Sequence, residues 1–225
     1  MIDAAGLTYR PMIASDLGQV PIGHQGDEAE VAARIADLGA SAILCFDGAQ
    51  HVGQLQFRRY QPSTVSPDGL LHPLYWADFN GFEPFPPAAA DRSGNSGDPG
   101  DETPVLAVFC YHVGQLDDTD VRDERYQGKG VGAALLDSFL TWADTRGATV
   151  VAKYGPPHRA VLGYLGAQPL AVYEARGFRP VASWVDTELR AKVLADALVP
   201  EGVTADDAAT VGCCVRPAAR RAELW

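Results

Sequence analysis

Hydrophobic residues follow one another almost without a break in Val105-Leu-Ala-Val-Phe-Cys-Tyr-His-Val113, which reads as a central strand buried on both faces. A second such run, Ala148-Thr-Val-Val-Ala-Lys153, predicts another buried strand. Between them Val131, Leu135, Phe139 and Trp142 recur at helical spacing, predicting an amphipathic helix that runs to about Arg146 and stops at Gly147. Upstream, Leu7–Met12 reads as a first strand. Val31, Ile35 and Leu38 place a helix over Glu28–Leu38, ended by Gly39. Ala42–Phe46 and His51–Phe57 flank the turn signal Asp47-Gly48 and predict a hairpin. Downstream, Pro169 opens a short helix through Tyr173 to Arg176 with Gly177 as cap, and a strand runs from Phe178 to Val185. Asp186 caps a further helix, Thr187–Ala197, and residues 199–225 read as a weakly patterned tail.

The pattern breaks between Tyr60 and Pro104. Arg92–Asp101 has the composition of a flexible link, whereas the segment around Trp76, Phe79, Phe82 and Phe85 is too aromatic for one. With 225 residues, the chain is expected to form one domain over 1–198 with an irregular insertion at about 60–104.

Net charge is −11, and it is uneven: residues 1–104 hold 5 basic and 14 acidic side chains, residues 105–225 hold 13 and 15. Such a balance argues against non-specific nucleic-acid binding and favours a cationic partner. The N-terminus lacks the basic flank and apolar run of a secretory signal, and no segment is apolar for long enough to span a bilayer. Cys45, Cys110, Cys213 and Cys214 show no C-x-x-C spacing, so no metal and a reducing, cytoplasmic setting are expected.

The candidate chemistry lies between the two buried strands. Arg125-Tyr-Gln-Gly-Lys-Gly-Val-Gly132 carries glycines at alternate positions and leads straight into the predicted helix. Exposed main chain followed by the unpaired N–H groups of a helix start makes a seat for phosphate or pyrophosphate. A kinase-type loop would need a hydroxyl after Lys129, where Gly130 stands instead. A dinucleotide fingerprint would need a strand directly before the glycines and an acid closing the next strand. Here an acidic loop, Asp117–Glu124, intervenes, and the next strand ends in Lys153.

Gln127-x-x-Gly130-x-Gly132 resembles the acyl-CoA-binding motif of the GNAT superfamily of N-acetyltransferases. Val172-Tyr-Glu-Ala-Arg-Gly-Phe178 resembles the same family's late tyrosine segment. Together they cover about a third of the chain, roughly Val105 to Val185. The resemblance implies an α/β (α+β) fold: a mixed, mostly antiparallel sheet splayed between its central strands, with helices on both faces. It implies acetyl-CoA as co-substrate, an acetyl transfer to a primary amine of a small molecule or peptide by direct attack, and a homodimer at family level. The main chain of Gln127, Gly128, Lys129, Gly130, Val131 and Gly132 would hold the pyrophosphate. Tyr111 and Val113 would offer main-chain N–H groups to the acyl carbonyl. Tyr173 takes the place of the family's general acid. The family asparagine seven residues earlier is Gly166 here, which points to Gln168 as a substitute. For the base the residues leave His112 and, in the insertion, Glu83 or Asp78, or a relaying water. A non-catalytic acyl-CoA-binding domain and transfer of a larger acyl group are the alternatives.

Overall fold

The computed structural model describes residues 6–60, 104–119 and 121–218. Glu83, Asp78 and the aromatic residues of the insertion lie outside the described residues.

The strands are β1 (Thr8–Pro11), β2 (Ala42–Asp47), β3 (Gln50–Arg59), β4 (Val105–Val113), β5 (Thr149–Gly155), β6 (Gln168–Pro169), β7 (Arg179–Val185) and β8 (Thr210–Arg216). They form one sheet in the order β1-β2-β3-β4-β5-β8-β7, with β6 added beside β5. Neighbours from β1 to β4 are antiparallel, as are β5–β8 and β8–β7. Only β4–β5 and the short β5–β6 pair are parallel.

The helices are α1 (Glu28–Leu38), α2 (Val131–Asp144), α3 (Arg159–Leu165), α4 (Leu170–Glu174), α5 (Thr187–Ala195) and α6 (Ala205–Ala208). Asp27 accepts from the Glu30 N–H while Glu30 accepts from Asp27, a reciprocal cap that fixes the start of α1. Asp186 caps α5 through the N–H groups of Glu188 and Leu189. The periodic face of α2 buries Leu135, Leu136, Phe139, Leu140 and Trp142. Phe57 of β3 meets both Phe139 and Trp142 at 4.7 Å between ring centroids, and each such side chain contributes about 2–3 kcal/mol by leaving water. Tyr173 of α4 joins this layer. On the opposite face α1 covers Met12, Ala42 and Leu44, and α3, α5 and α6 share a cluster with Val211.

Two sequence expectations need correction. The segment read as a tail supplies β8, which lies between β5 and β7. Cys213 and Cys214 both sit buried in it and face opposite sides of the sheet, and burial pushes the Cys213 thiol up to about 12 and the Cys214 thiol up as well. A helix that the sequence reading lacked, α3, stands between β5 and β6.

β4 carries the feature that shapes the site. A bulge opposite Gln56 and Phe57 shifts its face alternation, so Leu106, Val108 and Tyr111 face α2. Its pairing with β5 covers only Val105–Val108 against Thr149–Ala152. Beyond that the strands diverge, and β6 occupies the free flank of Tyr154 and Gly155.

Candidate active site

The glycine segment forms the start of α2. Gly130 is its N-cap in the left-handed region, at φ 83° and ψ 0°, a conformation that a side chain resists. Its carbonyl accepts from the Ala134 N–H, which leaves the first N–H groups of α2 directed outward. A cavity of about 460 Å³ runs from this loop into the divergence of β4 and β5. Gln127, Gly128, Gly130, Val131 and Gly132 border one end, Tyr111 and Val113 border the strand side, and the α3–β6 segment forms the opposing wall. Lys129 is exposed and stands outside that lining. The Gln168 side chain reaches across Gly132, where a Cβ would collide with it, and so borders the cavity beside the glycine loop.

Arg159 is a site residue that sequence reasoning missed. The first residue of α3, it brings its guanidinium over Gly128, with Nη1 3.5 Å from where a Cβ would stand. The glycine loop is therefore faced by a fixed positive charge as well as by main-chain donors. Arg122 also borders the cavity.

The ladder decides which main-chain donors of β4 face the cleft. Gly114 donates to Val52, and β3–β4 pairing alternates from there, so the N–H groups of Tyr111 and Val113 point away from β3. The Tyr111 N–H donates to the Gly166 carbonyl at 2.8 Å. The expectation that it holds an acyl carbonyl is thus corrected: Gly166 occupies it, and Val113 supplies the N–H that faces the cleft. Gly166 ends α3 at φ 55°, and a Cβ there would approach Cys110 Sγ at 2.5 Å. Glycine lets the chain close over the cysteine while its carbonyl reaches β4.

Tyr173 is fully buried and donates its hydroxyl to that of Tyr111 at 3.2 Å. Burial, then the neighbouring Tyr111, hold the Tyr173 phenol far above its ordinary value. It keeps its proton, and its hydroxyl meets that of Tyr111, which borders the cavity.

His112 faces the other side of β4, away from the cavity lining. Arg122 Nη2 lies 3.0 Å from its Nδ1. A guanidinium only donates, so Nδ1 accepts and the ring proton rests on Nε2, 3.1 Å from Cys110 Sγ. Burial first, then His24, Arg122 and His51, hold its pKa well below the usual histidine range. Neutral and engaged at both nitrogens, His112 has no lone pair to offer an amine.

The loop before α1 is clamped over this face of the sheet. Gln54 donates to the Pro21 carbonyl at 2.8 Å and Gln56 to that of Ile22 at 3.0 Å. Asp118 accepts from the Ile22 N–H at 3.0 Å. His24 is carried by this loop to within 4.6 Å of the His112 ring, centroid to centroid.

A parallel β4–α2–β5 unit and a strand divergence beside the glycine-capped helix start match the arrangement that the motifs imply, and β8 is inserted between β5 and β7. The sheet order and the β4–β5 divergence agree with the GNAT-like fold that the resemblance implies. No protein-family model matches the chain, nor does any curated protein sequence. Among solved structures, the chain is similar to Ard1 from Thermoplasma volcanium, with 14% identity, 95% of this chain and 99% of that one covered, and a TM-score of 0.46. It is similar also to a GNAT-family acetyltransferase from Streptococcus pneumoniae, with 13% identity, coverages of 94% and 99%, and a TM-score of 0.47. The ribosomal-protein-S18-alanine N-acetyltransferase from Escherichia coli matches with 14% identity, coverages of 97% and 98%, and a TM-score of 0.44. No helix among the described residues is long and apolar enough to cross a membrane.

Proposed function

We propose that the chain is an acyl-CoA-dependent N-acetyltransferase that passes an acetyl group to a primary amine by direct attack in a ternary complex. The observation that carries this reading is the continuity of one cavity from the glycine-capped start of α2 to the divergence of β4 and β5. Main-chain N–H groups at the first end suit a pyrophosphate, with the guanidinium of Arg159 beside them. The slot between β4 and the α3–β6 segment suits a pantetheine arm, and the Val113 N–H suits the developing oxyanion. Glu83 or Asp78, or a relaying water, remains for the base of this proposal, with a cationic amine favoured by the acidic first half of the chain.

Release of free CoA thiol from acetyl-CoA with a panel of small-molecule and peptide amines tests the reading. Amine-dependent turnover supports it, and a comparison of acyl-CoA chain lengths separates acetyl from larger acyl groups. A second reading has an observation of its own: Gly166 occupies the Tyr111 N–H and Tyr173 is sealed from the cleft, which favours a domain that binds acyl-CoA without transferring it. Tight CoA binding with no amine-dependent release would establish that alternative.

Two substitutions test the parts. Arg159→Ala is expected to weaken CoA binding about tenfold, the worth of one charge-assisted phosphate contact, as read by titration calorimetry. Tyr173→Phe is expected to lower kcat by about 10- to 100-fold while the Kd for CoA stays within about twofold. The lower end is favoured, because a thiol of pKa ~8.5 already leaves readily. Full activity in that variant would remove Tyr173 from the reaction.

A further inference from the structure

Three side chains outside the cleft converge on one point. Cys110 Sγ lies 3.1 Å from His112 Nε2 and 3.5 Å from His24 Nδ1. The ligating atoms of all three residues fall within 4.8 Å of one another. Without metal the sulfur accepts from the His112 Nε2–H, and two imidazoles share this one sulfur. We propose that His24, Cys110 and His112 form a binding site for a borderline-soft divalent cation, of which zinc fits best.

The spacing suits that ion. Tetrahedral zinc, at about 2.3 Å from sulfur and about 2.05 Å from nitrogen, sets sulfur and nitrogen ligands about 3.5 Å apart. One thiolate and two imidazoles leave a fourth position for water or an exogenous ligand. The support is firm: Cys110 and His112 are alternate residues on one face of β4, both buried, and His24 rides the loop that Gln54 and Gln56 clamp. His24 is half-buried and gives the ion its way in. The spacing was invisible in the sequence because the third ligand stands 86 residues from the cysteine.

Proton accounting makes the site a competition. Without metal, Arg122 donates to His112 Nδ1, and Nε2 carries the hydrogen. A metal on Nε2 needs that hydrogen moved to Nδ1, so Arg122 must turn away to the Thr119 and Val121 carbonyls that its Nη1 already contacts. Cys110 gives up its thiol hydrogen as the sulfur–metal bond forms, so one proton leaves for each ion bound, and nothing is oxidised or reduced.

The test uses the whole chain with Co²⁺ as probe and Zn²⁺ as competitor, and it needs no acyl transfer, so it stands apart from the proposed function. One Co²⁺ per chain is expected to bind, with a thiolate-to-cobalt charge-transfer band and the visible bands of a four-coordinate site, both erased by Zn²⁺. Cys110→Ser is expected to abolish the charge-transfer band and weaken binding by about 100-fold, with His24→Gln weakening it by at least about tenfold. Cys45→Ser is expected to leave both unchanged. Arg122→Ala is expected to tighten binding about tenfold by removing the competing cation. A wild-type chain without the charge-transfer band would overturn the site, as would a Cys110→Ser variant that keeps it. Should Cys110→Ser fail to fold, unchanged Co²⁺ affinity in His24→Gln, a loop substitution, would overturn it equally.

Discussion

Replacing Gly130 with glutamate is expected to reduce CoA affinity by about 1000-fold. Gly130 caps α2, borders the cavity and directs its neighbours' N–H groups into it. A carboxylate placed about 4 Å from a bound pyrophosphate costs about 4 kcal/mol at an effective dielectric near 20, which is the same factor. The left-handed backbone at Gly130 adds about 1–2 kcal/mol of strain to any side chain, and that part appears as lost stability. Gly130→Ala separates the two. It carries the strain without the charge, so it should melt at a temperature close to that of the glutamate variant yet retain most of the CoA affinity. Titration calorimetry and thermal unfolding on both variants make the comparison. Equal CoA affinity in wild type and Gly130→Glu would place the ligand elsewhere and end the acyl-CoA reading.

How far this site could be read from the sequence depended on the reach of each signal. β4 and α2 are long and strongly patterned, and the glycines between them stand out locally, so the glycine-capped helix start was legible in the sequence. α3 was not: it is seven residues long, follows Pro156-Pro157, contains Gly163, and shows only Val161 and Leu165 as a buried pair. Arg159 was hidden with it, because a cation at the start of an unrecognised helix looks like any surface arginine. β8 escaped for a different reason. Val211, Gly212, Cys213, Cys214 and Val215 are all buried, so the alternation that marks a strand with one wet face is missing. His112 shows the opposite failure. Its place at the end of a central strand suggested a base, but the bulge in β4 turns it to the face away from the cleft, and no residue-level pattern announces a bulge.

The same buried polar face that hides His112 should give the protein a stability that falls as the solution turns acidic. His51 of β3 is buried, and loss of solvation lowers its pKa to about 4, against the raising influence of the Gln115 and Gly53 backbone and of Asp118. In the unfolded chain a histidine titrates near 6.5, so between about pH 6.5 and pH 4 the unfolded state binds the proton that the folded state refuses. Stability is then complete above the unfolded value and is lost as pH falls toward the folded one. Integrated over that window, the loss from this group comes to about 3 kcal/mol. Urea unfolding at pH 7.5 and at pH 4.5 measures it, with His51→Gln as the reference that cannot titrate. The wild type should lose about 2–3 kcal/mol more than His51→Gln over that range, the remaining pH dependence being common to both. Parallel loss in the two proteins would mean that His51 is solvated or finds an acidic partner on protonation, and the acid sensitivity would then belong to other groups.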